Sequence, residues 1–125
     1  MLVPGAMWEA YHVEVGKIMT SELLGLGLLD KADIQNEDKD WPAYKKYFMH
    51  GTSHHIGLDT HDYGALKTPM KANMVFTVEP GIYIPDEKMG IRLEDNVVIQ
   101  ESGEPVNLMA SIPILPDEIE SLMNS

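Results

Sequence analysis

The period of the apolar pattern changes near Phe48, and this change restricts what the chain can fold into. Before it, apolar residues between positions 6 and 24 mostly recur every three or four residues, which predicts one long helix. Gly25 and Gly27 supply the signals that end this helix. The residues predicted to form its buried stripe are Met7, Tyr11, Val15, Ile18 and Leu23.

After Phe48 the pattern is typical of strands. Segments 74–78 and 91–99 are rich in β-branched residues and are bounded by glycine or proline, so each predicts a strand. Residues 85–90 form a loop that would make the two strands antiparallel neighbours, and Pro116 begins a short helix. The order of elements predicts an α+β fold, with the helix packed on one face of an antiparallel sheet.

Length and composition exclude several classes of protein. A chain of 125 residues is the size of one domain, and the absence of cysteine excludes disulfide frameworks and thiolate metal sites. The net charge of −11 argues against nucleic acid as a partner. No apolar run approaches the ~20 residues of a membrane span, so no membrane partner is expected. With no signal peptide at the start, the predicted location is cytoplasmic.

Residues 50–62 carry the strongest chemical signal in the sequence. Four of the five histidines lie there, and imidazole is both a common metal ligand and a common acid–base group. His50 and His54 have helical spacing, but the residues between them are poor helix formers, and Gly51 occupies the glutamate position of an HExxH zinc site. We therefore expect one histidine ligand, with the others near substrate; the alternative is a hydrogen-bonded polar turn.

Two carboxylates follow on apolar strands. Glu79 ends the first strand segment, and Glu94 lies within the second, two residues after Arg92. An ionised carboxylate on a half-buried strand is costly unless it is paired or binds a metal. A solvated strand end is the alternative for Glu79, and a simple ion pair with Arg92 is the alternative for Glu94. Together with a histidine, the two carboxylates suit manganese, iron, cobalt or zinc.

Three motifs in this order resemble one family. His50–Asp62, Thr77–Tyr83 and Gly90–Asp95 are similar to the second half of the pita-bread metallopeptidases. Within that group the chain most resembles Xaa-Pro aminopeptidase (aminopeptidase P), and prolidase is next. The resemblance implies half of a pita-bread fold, in which a helix packs on a curved antiparallel sheet. It also implies peptide substrates that have proline at the second position.

The resemblance implies a site with two metal ions, usually Mn²⁺, with Co²⁺ or Zn²⁺ as alternatives. His54 matches the histidine ligand, Glu79 matches a carboxylate ligand, and Glu94 matches the carboxylate that bridges the two ions. The metals would polarise the scissile carbonyl and activate a water molecule as the nucleophile.

Four residues match positions that the family uses in catalysis. His50 and His61 match histidines that orient the substrate and stabilise the tetrahedral intermediate. Arg92 matches an arginine that holds the ligand network. Glu79 would, besides binding metal, carry a proton to the leaving nitrogen.

The family takes two further aspartate ligands, and another histidine, from a first catalytic half that this sequence does not contain. We therefore expect residues 1–125 to be the C-terminal portion of a metallopeptidase catalytic domain, without the first half or the family's N-terminal domain. We also expect the chain alone to be inactive and to bind metal weakly, since losing even residues that support a ligand costs about 10–100-fold in affinity. A lone half would expose a sheet edge and an apolar face, which predicts a homodimer.

Two other functions stay open at this point. One is a prolidase-type Xaa-Pro dipeptidase, which peptide length preference would distinguish. The other is a non-catalytic metal-binding or interaction module, although His54, Glu79 and Glu94 are all intact.

Overall fold

The long N-terminal helix forms as predicted. The computed structural model describes residues 1–125, in which α1 spans Trp8–Gly25 and Gly27 beyond it has a left-handed φ of 71°. The predicted stripe is wrong at Met7 and Ile18, which are 40% and 48% exposed. The buried large side chains instead follow a four-residue interval along one face of the helix; they are Tyr11, Val15, Met19 and Leu23.

Four shorter helical elements complete the helical content, one of them a 3₁₀ turn at Pro85–Glu87 within the predicted loop. Helix α2 spans Lys31–Gln35, and the Asp30 carboxylate caps it by accepting hydrogen bonds from two backbone N–H groups. A 3₁₀ turn covers Ala43–Lys46. Helix α3 spans Pro116–Met123, which confirms its predicted start, but none of its residues is buried. None of the helices has the length and apolar character needed to cross a membrane.

The strands form two antiparallel sheets. Strands β1 (Val75–Val78), β4 (Asp95–Val98) and β5 (Val106–Asn107) make a three-stranded sheet in the order β1-β4-β5. Strands β2 (Gly81–Ile84) and β3 (Met89–Arg92) form a separate hairpin. The fold class predicted from the sequence, a helix packed on antiparallel sheet, is confirmed.

The prediction of one continuous strand over residues 91–99 is wrong. Its first part pairs with β2, and its second part pairs with β1, so that Val78 lies opposite Asp95. The break follows from Pro80, which has no N–H to donate and therefore ends the β1 ladder. Glu79 and Glu94 both lie at this break, one directly after β1 and the other directly before β4.

The main core lies between α1 and the three-stranded sheet. Its members from the helix are Tyr11, Val15 and Met19, and its members from the sheet and its end are Phe76, Val97 and Ile99. A smaller cluster of Leu23, Leu29 and Tyr47 packs at the far end of the helix. The core therefore fixes β1 against α1, and Glu79 follows directly after the end of β1.

Candidate functional site

The histidine segment runs along the edge of β1 that β4 does not occupy. His55 makes a β-bridge with Phe76, and the backbone N–H of Thr77 donates to the carbonyl of His54 at 3.0 Å. On the side facing α1, the hydroxyls of Tyr11 and Ser53 are hydrogen-bonded at 2.8 Å. Strand and helix together hold this irregular segment in place.

The three side chains predicted to bind metal converge. Atoms of His54, Glu79 and Glu94 that can bind metal all lie within 4.8 Å of one another. Antiparallel pairing explains the convergence, because it sets the end of β1 beside the start of β4, while the histidine segment borders β1 on its other edge. Two carboxylates and an imidazole form the hard donor set that divalent manganese, cobalt or zinc accepts.

The hydrogen bonding of His54 fits a metal ligand. Its Nδ1 lies 2.8 Å from the carbonyl oxygen of His55, and since a carbonyl only accepts, Nδ1 carries the hydrogen. In the neutral ring Nε2 then presents a lone pair to Glu79 Oε1, which lies 3.1 Å away. Two lone pairs that face each other at this distance require a cation or a proton between them. A backbone carbonyl that orients a histidine is also the usual support of a metal-binding imidazole.

Arg92 lies between the two carboxylates. Its Nη1 is 3.4 Å from Glu79 Oε2, and its Nη2 is 3.7 Å from Glu94 Oε2. The alternative of a solvated strand end for Glu79 is wrong, because its side chain is only 12% exposed. The alternative of a simple Arg92–Glu94 pair is incomplete, since the guanidinium contacts both carboxylates.

The two histidines predicted to contact substrate line the same cavity. This cavity measures about 390 Å³ and is bounded by His50, Gly51, Ser53, His54, His61, Glu79 and Arg92. The ring of His61 packs edge-on against His54, with centroids 4.3 Å apart. His50 donates from Nδ1 to the carbonyl of Gly51 and, in the neutral ring, accepts at Nε2 from the Tyr83 hydroxyl, both at 2.8 Å. The structure thus brings all six predicted site residues together; their roles remain predictions.

Two residues in contact with the site were missed by the sequence reasoning. Tyr83 was part of a motif without an assigned role, and no local pattern shows that β2 carries its hydroxyl to His50. The hydroxyl of Thr77 donates to Glu79 Oε1 at 3.2 Å. The sequence did contain a signal for Thr77. Alternate residues of a strand share a face, so Thr77 is expected on the same face as Glu79, which follows it by two residues.

The remaining histidines have a packing role. His55 stacks on Trp8 at 6.0 Å and meets Phe76 edge-on at 4.6 Å. Burial lowers the pKa of His55, which Asp62 opposes and neighbouring His54 reinforces. Burial also lowers the pKa of His12, whose ring lies 5.2 Å from that of Trp8. Both imidazoles therefore favour the neutral form in the folded chain.

Comparison with known proteins identifies the family. Residues 1–101 match the model of metallopeptidase family M24. The chain belongs to this family. It is 45% identical to the Xaa-Pro aminopeptidase of Escherichia coli K12 over 132 aligned residues, which cover 96% of this chain and 29% of that protein. The Xaa-Pro aminopeptidase of Haemophilus influenzae is 38% identical over 136 residues, covering 99% and 31%.

A solved structure gives the same assignment. Zinc-substituted aminopeptidase P of E. coli, in complex with product, superposes with a TM-score of 0.78 at 40% identity, over 99% of this chain and 30% of that one. The predicted resemblance and the predicted fold are both confirmed. The chain spans about three tenths of the length of these relatives.

Proposed function

We propose that residues 1–125 are the C-terminal portion of the catalytic domain of a metal-dependent Xaa-Pro aminopeptidase, which releases an N-terminal residue that precedes proline. The observation that carries this proposal is the convergence of His54, Glu79 and Glu94 beside a cavity lined by His50 and His61. Two relatives that bear the name Xaa-Pro aminopeptidase support this substrate class over a dipeptidase.

The metal site would hold two Mn²⁺ ions, with Co²⁺ or Zn²⁺ as substitutes. His54, Glu79 and Glu94 would hold the ions. When bound, such ions supply Lewis-acid polarisation of a carbonyl group and activation of water. The name of the zinc-substituted neighbour makes zinc a sensible second probe beside manganese.

The side chains of this chain would bind the peptide and move its protons. His50 and His61 face the cavity, where their rings would orient the substrate carbonyl. The nitrogen of proline has no hydrogen in the peptide bond, so it needs a proton in order to leave as an amine. Glu79 would take a proton from the attacking water and pass it to that nitrogen, while Arg92 holds the carboxylates of Glu79 and Glu94 in place.

The site would be completed by two aspartates from another part of the polypeptide. With only three ligands, the chain alone would bind metal weakly and would not turn over peptide. Apolar side chains on β3 and directly after it support self-association, because Met89, Ile91 and Leu93 are all exposed. Light scattering of the purified chain should therefore show a homodimer, and a monomer at high concentration would contradict this part of the proposal.

The activity test compares the isolated chain with the complete polypeptide. The complete polypeptide with Mn²⁺ should cleave an Xaa-Pro tripeptide faster than an Xaa-Pro dipeptide, and Glu79→Gln should abolish cleavage. The same substitution at exposed Glu101 is the matched control and should leave cleavage unchanged. Turnover by residues 1–125 alone, at a rate near that of the complete polypeptide, would refute the proposed need for further ligands. Preference for the dipeptide would instead favour a prolidase.

The proposal also covers the location of the protein in the cell and the partners that it does not bind. We propose a cytoplasmic location and no nucleic-acid or membrane partner. The net charge of −11 supports the absence of a polyanionic partner, because like charges repel.

A further inference from the structure

The buried hydroxyl of Thr77 connects two of the proposed ligands. Thr77 lies in β1 and is 0% exposed. Its Oγ1 accepts a hydrogen bond from the backbone N–H of His54 at 3.0 Å and donates one to Glu79 Oε1 at 3.2 Å. That same carboxylate oxygen lies 3.1 Å from His54 Nε2.

The direction of these hydrogen bonds is fixed by chemistry. An amide N–H only donates and an ionised carboxylate only accepts, so the Thr77 hydroxyl must accept from the first and donate to the second. Each bond polarises the next, and the low exposure of the residue protects both from competing water. The hydroxyl of Thr77 thereby links the Glu79 carboxylate to the backbone of His54, which lies beside β1.

The other contacts of Glu79 leave this alignment to Thr77. Arg92 contacts the opposite carboxylate oxygen, but at 3.4 Å and from a side chain that is 49% exposed. Arg92 therefore holds Oε2, and the position of Oε1 is left to Thr77. His54 Nε2 cannot restrain the carboxylate without a cation or a proton between them.

We propose that Thr77 is a positioning residue for the metal centre, which holds the Glu79 carboxylate and the His54 backbone in the geometry that receives the ion. This inference rests on the proposed function, because it assumes that His54 and Glu79 bind metal. A purely structural role for the hydroxyl is the competing explanation. Such a role would concern the fold of β1, so its loss would lower the stability of the chain and leave the Zn²⁺ affinity of the folded chain unchanged.

The test measures Zn²⁺ binding by the purified chain, followed through the imidazole signals of His54 in NMR spectra, which register weak binding as well as strong. Thr77→Val keeps the shape of the side chain and removes the hydroxyl, whereas Thr77→Ser keeps the hydroxyl. Thr52→Val is the matched control, because the Thr52 hydroxyl is equally buried but makes no hydrogen bond. Should Thr77→Val fail to fold, Thr77→Ala against Thr77→Ser gives the same comparison.

We expect Thr77→Val to weaken Zn²⁺ binding by about 10–100-fold, as is typical when the support of a ligand is lost. Thr77→Ser and Thr52→Val should bind like the unmodified chain. In the metal-free Thr77→Val variant, the backbone N–H of His54 should also exchange with solvent faster, since its acceptor is gone.

Three results would overturn the inference, and they are distinguishable. Unchanged binding in Thr77→Val would refute the role of Thr77 while leaving the metal site intact. Equal losses in Thr77→Val and Thr52→Val would assign the effect to the fold rather than to this hydroxyl. If Zn²⁺ leaves the imidazole signals of His54 unchanged in the unmodified chain, the proposed metal site fails and the inference fails with it.

Discussion

The hydrogen bond between Tyr11 and Ser53 joins α1 to the histidine segment, and its removal has a calculable cost. Both residues are buried, and their hydroxyls lie 2.8 Å apart. Tyr11→Phe removes one hydroxyl while keeping the ring and its packing against Trp8. The Ser53 hydroxyl then remains buried beside an apolar ring edge.

The expected loss of stability follows from that orphaned hydroxyl. A buried polar group left without its partner costs about 1–3 kcal/mol, more than the bond itself contributes. The unfolding entropy of 125 residues, at about 2.1 cal/mol/K each, is near 0.26 kcal/mol/K. Each kcal/mol should thus lower the melting temperature by about 4 °C, so Tyr11→Phe should lose about 4–12 °C.

A double-mutant cycle separates this bond from general packing effects. Urea unfolding of Tyr11→Phe, Ser53→Ala and the double variant should show that the two losses are not additive, with a coupling of about 1 kcal/mol or more. Tyr63→Phe is the control and should cost nothing measurable, since Tyr63 is 94% exposed.

Titration of Tyr11 gives a second readout of the same bond. Burial raises the pKa of Tyr11, and the hydrogen bond from Ser53 partly opposes this. Ser53→Ala should therefore raise the pKa of Tyr11 further, as followed by ultraviolet absorbance. Two results would refute the idea that this bond anchors the histidine segment to the helix. One is additive losses of stability in the cycle, and the other is a Tyr11→Phe variant that is as stable as the unmodified chain.

Three further substitutions test other parts of the structure. Gly64→Ala should destabilise the chain by about 1–3 kcal/mol in a thermal melt, because the added methyl group would overlap the ring of His55. Leu23→Ala should cost about 2–5 kcal/mol in urea unfolding, since Leu23 is fully buried; a loss below 1 kcal/mol would contradict its place in the core. His12 has a pKa lowered below its ordinary 6.5, so its contribution to stability is complete above pH 6.5 and is lost as the pH falls through its folded-state value. His12→Gln should therefore flatten the decline in stability between pH 7 and 5, and an unchanged slope would contradict the lowered pKa.

The sequence was informative wherever the signal was local. The helical period predicted α1 within a few residues, and Pro116 marked the start of α3. The choice of Met7 and Ile18 as buried failed, because propensity and period do not say which side of a helix a sheet will cover. The continuous strand over residues 91–99 failed for a related reason. Pro80, between β1 and β2, ends the ladder that this strand was expected to join.

In the candidate site, too, local features could be predicted from the sequence and long-range contacts could not. Residue type and neighbouring motifs were sufficient to single out His54, Glu79 and Glu94. The hydrogen bond between Tyr83 and His50 could not be predicted from the sequence, because it joins residues 33 positions apart and depends on how the hairpin folds back.

What the sequence by itself determined is the family and the identity of the chemical groups, since both depend on residue types at short spacing. The tertiary structure alone decided that these groups meet. Antiparallel pairing of β1 with β4 brings Glu79 to Glu94, and the bridge between His55 and Phe76 brings His54 to both. It also determined the hydrogen bonds that orient them, from the carbonyl of His55 and the hydroxyl of Thr77. Strand register is a long-range property, because its free energy comes from contacts between segments that no local pattern specifies.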